Sequence, residues 1–155
     1  MITYIVGDVT YPNLPGPKIL AHVVNQEGGW GAGVVVAISK RWKEPEAAYR
    51  HWYKTSGPLF ALGEAQVVRV EDDLCVCNML AQRGYFHAAK VNKIPLCYNA
   101  LRTCLKKLSV EATKQGATII MPKIGSGLAG GDWGKISSII AQELDKNKVF
   151  VYTLD

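Results

Sequence analysis

The sequence predicts an α/β domain, a three-layer α/β/α sandwich built on a mixed central sheet. Three observations predict it. Short apolar runs of strand length (2–6, 19–24, 117–121, 149–154) alternate with stretches of helical spacing. Two further runs, 65–70 and 74–80, follow one another around a turn at 71–73, as in a hairpin or a neighbouring pair. Glycine-rich segments follow strand ends, where open α/β sheets gather ligands.

Residues 2–6 are rich in Ile, Thr, Tyr and Val and read as the first strand, closed by Gly7-Asp8-Val9. Segment 11–17 carries three prolines and a glycine, so it is a loop. A second apolar strand, 19–24, ends at Asn25 and leads into Gly28-Gly29-Trp30-Gly31-Ala32-Gly33. Segment 34–42 has strand-like composition, but Val34, Ile38 and Trp42 recur at steps of four, which favours a helix. β-branched residues weaken that helix without forbidding it. Pro45 opens a further amphipathic helix with Ala48, Trp52 and Tyr53 as inward positions; Ser56-Gly57-Pro58 stops it. The paired strands 65–70 and 74–80 follow, then a polar loop over 81–92. A long helix spans 95–114, with Leu101, Cys104, Leu105 and Leu108 as its apolar stripe and Gly116 as its stop. The buried strand 117–121 leads into the glycine-rich loop, a helix over 132–145 and the last strand, 149–154.

The 155 residues suggest one domain, 1–155, with no internal repeat or linker. Hydrophobic residues make up 48% and charged residues 20%, an ordinary globular balance. No apolar stretch approaches the roughly 18 residues a spanning helix needs, which argues against a membrane partner. The first residues lack a basic leader and a cleavage site, so a signal peptide is not expected. The four cysteines form no C-x-x-C pair and read as buried apolar residues in a reducing compartment; a cytoplasmic monomer is the default expectation. Neither they nor the three histidines are spaced for zinc, so no metal and no cofactor is expected. The formal charge of +5 suits a polyanionic ligand, although lysines on helix faces ordinarily serve only to solvate the surface. No reader motif for nucleic acid is present.

The loop Lys123-Ile124-Gly125-Ser126-Gly127-Leu128-Ala129 has the build of a phosphate cradle. Glycines let backbone N–H groups approach an anion, and a helix N-terminus follows. A flexible connection is the plainer reading of the same stretch. Asp8, at a strand end, is either a turn residue or an acceptor for an exocyclic amino group.

Taken in order, Gly7-Asp8-Val9, Leu20-Ala21-His22-Val23-Val24-Asn25, Gly31-Ala32-Gly33 and Pro122-Lys123-Ile124-Gly125-Ser126-Gly127-Leu128 resemble a macro domain, the ADP-ribose-binding module. The resemblance runs through nearly the whole chain. Asn78-Met79-Leu80-Ala81-Gln82 and Gly127-Leu128-Ala129-Gly130-Gly131-Asp132-Trp133 are most similar to the ADP-ribose 1″-phosphate phosphatase branch, a relative of the terminal ADP-ribose protein glycohydrolases.

The resemblance implies that Asp8 takes the adenine amino group, with Gly7 and Val9 beside it. It implies that Asn25 binds the distal ribose. Gly31-Ala32-Gly33 and Lys123 to Ala129 (Lys123, Ile124, Gly125, Ser126, Gly127, Leu128, Ala129) wrap the diphosphate and distal ribose. Leu154 borders the adenine pocket, and Tyr152 is either an aromatic wall there or a core tyrosine.

Two departures bear on chemistry. The glycohydrolase relatives use a strand-end lysine and an aspartate after Gly-Leu; here those places hold Ala81-Gln82 and Ala129. A lysine adduct needs that amine and that acid. The water-based macro domains favour Asn-Ala-Ala-Asn where this chain reads His22-Val23-Val24-Asn25.

The leading expectation is therefore phosphomonoester hydrolysis of ADP-ribose 1″-phosphate. The alternatives are removal of ADP-ribose from modified macromolecules or from an acetylated ADP-ribose, and binding without turnover. The expected partners are ADP-ribose or a derivative and ADP-ribosylated macromolecules. Asn25 and His87 are the catalytic candidates: Asn25 to position water or substrate, His87 to handle a proton. Strand alternation puts His22 and Asn25 on opposite faces, which favours His22 as a core residue. Asp132 before an apolar-periodic helix reads as an N-cap, and Trp133 as the anchor of that helix.

Overall fold

A computed structural model describes residues 1–84, 94–127 and 129–155. Six strands form one sheet: β1 (Ile2–Val6), β2 (Lys18–Asn25), β3 (Ala65–Glu71), β4 (Leu74–Gln82), β5 (Thr118–Met121) and β6 (Val149–Thr153). Their spatial order is β1-β6-β5-β2-β4-β3. All neighbouring pairs are parallel except β3 with β4, which is antiparallel, so the sheet is mixed as expected. Five strands therefore end on the same edge, and Gly7, Asn25, Gln82 and Pro122 come together along it.

The helices divide between the two faces. Helices α1 (Val34–Arg41) and α2 (Glu44–Thr55) cover one; α3 (Tyr98–Gln115) and α4 (Trp133–Glu143) cover the other. Period-two alternation along β2 feeds both layers. Ile19 and Ala21 pack with Leu101, Leu105, Leu108, Ile136 and Ile140. Leu20 and Val24 pack with Val35, Ile38, Trp42 and Tyr49. A strand buried on both faces reads as a continuous apolar run, which explains the composition of β2 and β4.

Several boundaries shift. Ala81 and Gln82 belong to β4 rather than to a loop, because Gln82 pairs with Asn25 across the sheet and with Leu96 as an isolated bridge. The long helix begins at Tyr98, not Pro95. Its end is as expected: Gly116 takes a left-handed φ of 64°. Tyr53 is not an inward residue of α2. Pro45 and Tyr49 are the buried positions, four apart on one stripe, and Tyr53 is 43% exposed. Its ring lies beside Phe60, at the rim of an aromatic cluster. The four cysteines are free, and three are buried. Burial raises Cys104 to about 12, with Cys77 displaced in the same direction, so both stay protonated packing residues. No helix among the described residues is long and apolar enough to cross a membrane.

Candidate functional site

Three adjoining lobes run along the edge where the parallel strands end. The central lobe, about 220 Å³, lies between the start of α1 and the loop after β5. Ala32, Gly33 and Val34 form one wall; Lys123, Ile124, Gly125, Gly127 and Ala129 form the other. A second lobe of about 350 Å³ is lined by Asn25, Gly29, Trp30, Gly31 and Val35, and shares Val23, Ala32 and Gln82 with the first. A third, of about 320 Å³, is lined by Asp8, Thr10, Tyr11, Val36, Lys40 and Arg41, and meets the central lobe at Gly33.

The glycine loop owes its shape to close packing. Gly125 has a φ of +71°, a backbone state that L side chains rarely adopt. A Cβ at Gly131 would stand 2.6 Å from the Gly125 carbonyl oxygen and 2.5 Å from a Leu96 methyl, so only glycine fits there. The Gly131 and Gly130 amides close the loop on Gly125 O (2.8 Å) and Gly127 O (3.0 Å). Leu96 braces it from beneath and donates its own N–H to Ala129 O. The N–H groups of Gly125, Ser126 and Gly127 donate to no described residue. Opposite them, α1 starts at Gly33 with no side-chain cap; Val36 N–H closes on Gly33 O (3.1 Å), and the Val34 and Val35 amides donate to no described residue. Lys123 is the one cation lining the central lobe among the described residues. Convergent amides, a helix N-terminus and a lysine make an anion-binding surface.

Asn25 is committed to its own loop. Its Oδ1 accepts from the Glu27 N–H (2.9 Å), the Gly29 N–H (3.1 Å) and the Tyr49 hydroxyl (3.2 Å); its Nδ2 donates to Gly29 O (3.0 Å). The pairing of β2 with β4 shifts register after Val24, with the extra residue, Ala81, on β4. Asn25 is the last residue of β2 and its amide turns back onto the following loop, so Asn25 and His22 are both engaged from the α1/α2 side, through Tyr49 and Trp30, and the opposite-face expectation fails. His22 is nonetheless a core residue. It is fully buried, its ring meets Trp30 edge-on, and its Nε2 bonds Asn78 Oδ1. Burial holds it at about 4, so it is neutral at pH 7.

At the third lobe, Asp8 is exposed. Its Oδ1 accepts from the Thr10 N–H (2.9 Å) and hydroxyl (2.7 Å), a turn-forming role, while Oδ2 has no partner among the described residues. Both readings of Asp8 thus find an atom. Val9 is buried, and Gly7 donates to Thr153 O. Tyr152 is 6% exposed and packs in the core beside Val9, with its ring 3.6 Å from where a Gly7 Cβ would lie. Its position is that of a core tyrosine rather than an open wall. Leu154 is 83% exposed and lines none of the three lobes. Asp132 caps α4, accepting from the Gly134 N–H at 2.9 Å. His87 and Leu128 lie outside the described residues.

Gln82, Trp30 and Tyr49 were not singled out from sequence as site residues. Gln82 lines two lobes; Trp30 lines the second; Tyr49 holds Asn25. The signal for Gln82 was a polar residue just past a predicted strand end. For Tyr49 there was none, since only helix phase decides where its hydroxyl points.

Fold and cleft together define a single α/β module with a cleft along the ends of its parallel strands, lined by glycine-loop backbone, a helix start and a lysine. No family model matches the chain. A solved structure from Bacteroides thetaiotaomicron, a protein of unknown function, is 45% identical, with a TM-score of 0.93 over 98% of this chain and 97% of that one. A macrodomain protein from Streptomyces coelicolor is 39% identical, with a TM-score of 0.86 over 99% of both chains. The chain belongs to the macrodomain family.

Among curated proteins it is similar to an ADP-ribose 1″-phosphate phosphatase of Lodderomyces elongisporus, 24% identical over 99% of both chains. It is also similar to the ADP-ribose glycohydrolase OARD1 of Homo sapiens, 26% identical over 99% of this chain and 91% of that protein. A chromodomain-helicase-DNA-binding protein 1-like of Danio rerio is 30% identical over 96% of this chain, which spans 15% of that protein's length.

Proposed function

We propose that this macrodomain binds ADP-ribose and hydrolyses ADP-ribose 1″-phosphate to ADP-ribose and phosphate. The observation that carries the reading is the facing pair of anion-binding elements. The free amides of Gly125 and Gly127 stand across the central lobe from the uncapped start of α1, with Lys123 beside them. A diphosphate spans such a pair. Asp8 Oδ2 then receives the adenine amino group in the third lobe, and the distal ribose enters the second lobe near Asn25 and Gln82. The phosphatase named among the relatives, similar along its whole length, supports the choice of substrate.

In the reaction, water attacks the phosphorus of the 1″-phosphate, the bond from phosphorus to the ribose oxygen breaks, and that oxygen takes a proton. Loop amides stabilise the charge on the phosphoryl oxygens. Asn25 holds the Gly29 turn that walls the second lobe, and His87 is the candidate proton carrier. No metal or cofactor takes part. In this reading the chain is a cytoplasmic monomer, and light scattering tests its oligomeric state.

A second reading is binding without turnover. One observation favours it: among the described residues, the only titratable side chains lining the central lobe are Lys123 and the neutral His22. Incubation with ADP-ribose 1″-phosphate and measurement of free phosphate, with Asn25→Ala and His87→Ala alongside, separates the two. Phosphate release supports the first reading. No release, with ADP-ribose still binding in a calorimeter, sinks it and leaves the reader. Asp8→Ala is expected to cost about 1–3 kcal/mol of ADP-ribose affinity, and an unchanged affinity would leave Asp8 as a turn residue only.

A further inference from the structure

The wall of the second lobe is held from outside the cleft. Trp30, which lines that lobe, donates its Nε1–H to Ser39 Oγ (2.7 Å) on α1. Ser39 Oγ donates to Glu46 Oε1 (2.9 Å) in the first turn of α2. Glu46 Oε2 accepts from Arg50 Nε (2.9 Å), and Arg50 Nη1 donates to Gly28 O (3.0 Å). The path thus leaves the loop at Trp30 and returns to it at Gly28. Ser39, Glu46 and Arg50 line none of the three lobes.

The chemistry of each group fixes the direction of every bond. An indole N–H and a guanidinium only donate, and a carboxylate only accepts. Ser39 has one hydroxyl proton; its oxygen takes the Trp30 N–H, so that proton goes to Glu46. Glu46 is therefore the shared acceptor that orients both arms. The bond from Arg50 holds its carboxyl below the ordinary value, so it is ionised at neutral pH. The planar fork of Arg50 reaches Glu46 and the Gly28 carbonyl at once, which a lysine amine on a flexible stem does not reproduce. As an isolated pair, Glu46 and Arg50 are too exposed (34% and 45%) to add much stability. Their further bonds, however, both end on one loop. That loop is tightly seated: Gly28 has a φ of +78°, and a Cβ there would stand 2.7 Å from the Tyr53 ring of α2. Gly29, between the two anchor points, is clamped by Asn25.

We infer that Ser39, Glu46 and Arg50 form a positioning relay that holds the Gly28–Trp30 wall of the second lobe in its binding shape, so that residues on α1 and α2 set ligand affinity from outside the cleft. Asn25 fixes Gly29 from within the loop; the relay fixes its two neighbours from behind. Gly29, Trp30 and Gly31 line the second lobe and neither of the others. The relay therefore acts on whatever part of a ligand fills the second lobe and leaves the grip of the other two lobes unchanged. This rests on the ADP-ribose reading above, in which that part is the distal ribose.

The test compares ADP-ribose with ADP, which keeps the adenosine and diphosphate but lacks the distal ribose. Calorimetry and thermal unfolding are run on the wild type, Ser39→Ala, Glu46→Ala and Arg50→Lys. Nitrogen-15 NMR of tryptophan-labelled protein follows the Trp30 indole N–H, assigned with Trp30→Phe. Each of the three relay variants is expected to weaken ADP-ribose about three- to tenfold and to leave ADP within about twofold. Their melting temperatures are expected to stay within about 4 °C of wild type, because the altered groups are wholly or partly exposed. Arg50→Lys, which touches neither Trp30 nor Ser39, is expected to move the Trp30 indole resonance; independent contacts would leave it in place. With a wild type that prefers ADP-ribose, variant affinities within about twofold of it, equal losses for both ligands, or an unmoved indole resonance in Arg50→Lys would each overturn the relay and leave the ADP-ribose reading standing. A wild type that binds neither ligand, or ADP as tightly as ADP-ribose, would refute that reading of the second lobe, and this inference with it.

Discussion

Replacing Asn25 with alanine separates two roles that the strand-end position alone cannot tell apart. In the structure the amide is a clamp on its own loop. Oδ1 takes the Glu27 and Gly29 N–H groups, and Nδ2 bonds Gly29 O. At about 1 kcal/mol net for each of these three bonds, the sum is about 3 kcal/mol. Glu27 and Gly29 are exposed, so water recovers part of that once the side chain is gone. The Tyr49 hydroxyl also donates to the Asn25 backbone carbonyl, which the substitution keeps. The expected destabilisation is therefore about 2 kcal/mol, or about 4–8 °C in melting temperature for a chain of this size. Asn25→Asp keeps the acceptor bonds but turns a carboxylate oxygen toward Gly29 O at a buried position, so it should cost about 2 kcal/mol as well. Urea unfolding of the three proteins, with ADP-ribose titrations in parallel, makes the measurement. An Asn25→Ala protein that unfolds at the wild-type midpoint yet binds no ADP-ribose would refute the clamp. It would make the side chain a direct ligand contact.

Other outcomes follow from the same geometry. Gly131→Ala drives a methyl against Gly125 O and Leu96, so about 1–3 kcal/mol of stability and part of the ADP-ribose affinity should go together; wild-type values in both would show that the loop relaxes freely. His22 is held at about 4 against an ordinary 6.5, so the unfolded chain binds its proton more readily. Its contribution is complete above pH 6.5 and is lost as pH falls toward 4. That amounts to roughly 3 kcal/mol, and a His22→Gln protein should show a flatter stability profile across that window; matching slopes would count against it. Asp132→Ala should cost about 1 kcal/mol through the lost cap and leave phosphate release intact. A collapse of turnover at unchanged stability would instead make Asp132 a proton-handling group.

Much of this protein is written locally. The apolar runs of β2, β4 and β5 are legible because strands buried on both faces must be apolar throughout. The stop at Gly116 and the cap at Asp132 are legible because each depends on one residue and its immediate neighbours. The glycine loop after β5 is legible as a cradle for the same reason: freedom at φ and the lack of a Cβ belong to the residue itself.

The arrangement of the cleft was settled only by packing in three dimensions. Alternation placed His22 and Asn25 on opposite faces, but Asn25 ends β2 and its amide turns back to clamp the following loop beside Tyr49. Tyr53 pointed inward by spacing and follows Pro45 and Tyr49 on one row, yet it falls in the last turn of α2, beside Phe60, where it stays exposed. Tyr152 carried two readings, and contact with Val9 and the α1 layer made it a core residue. Whether the Trp30 indole and the Gly28 carbonyl are held from behind depends on Ser39, Glu46 and Arg50, which helices α1 and α2 bring to them. The sequence by itself determined the layers and the glycine cradle, because these rest on residue types and short periods. The tertiary structure decided which polar atoms are spent on the protein and which remain for a ligand, because that balance is struck only when distant segments meet.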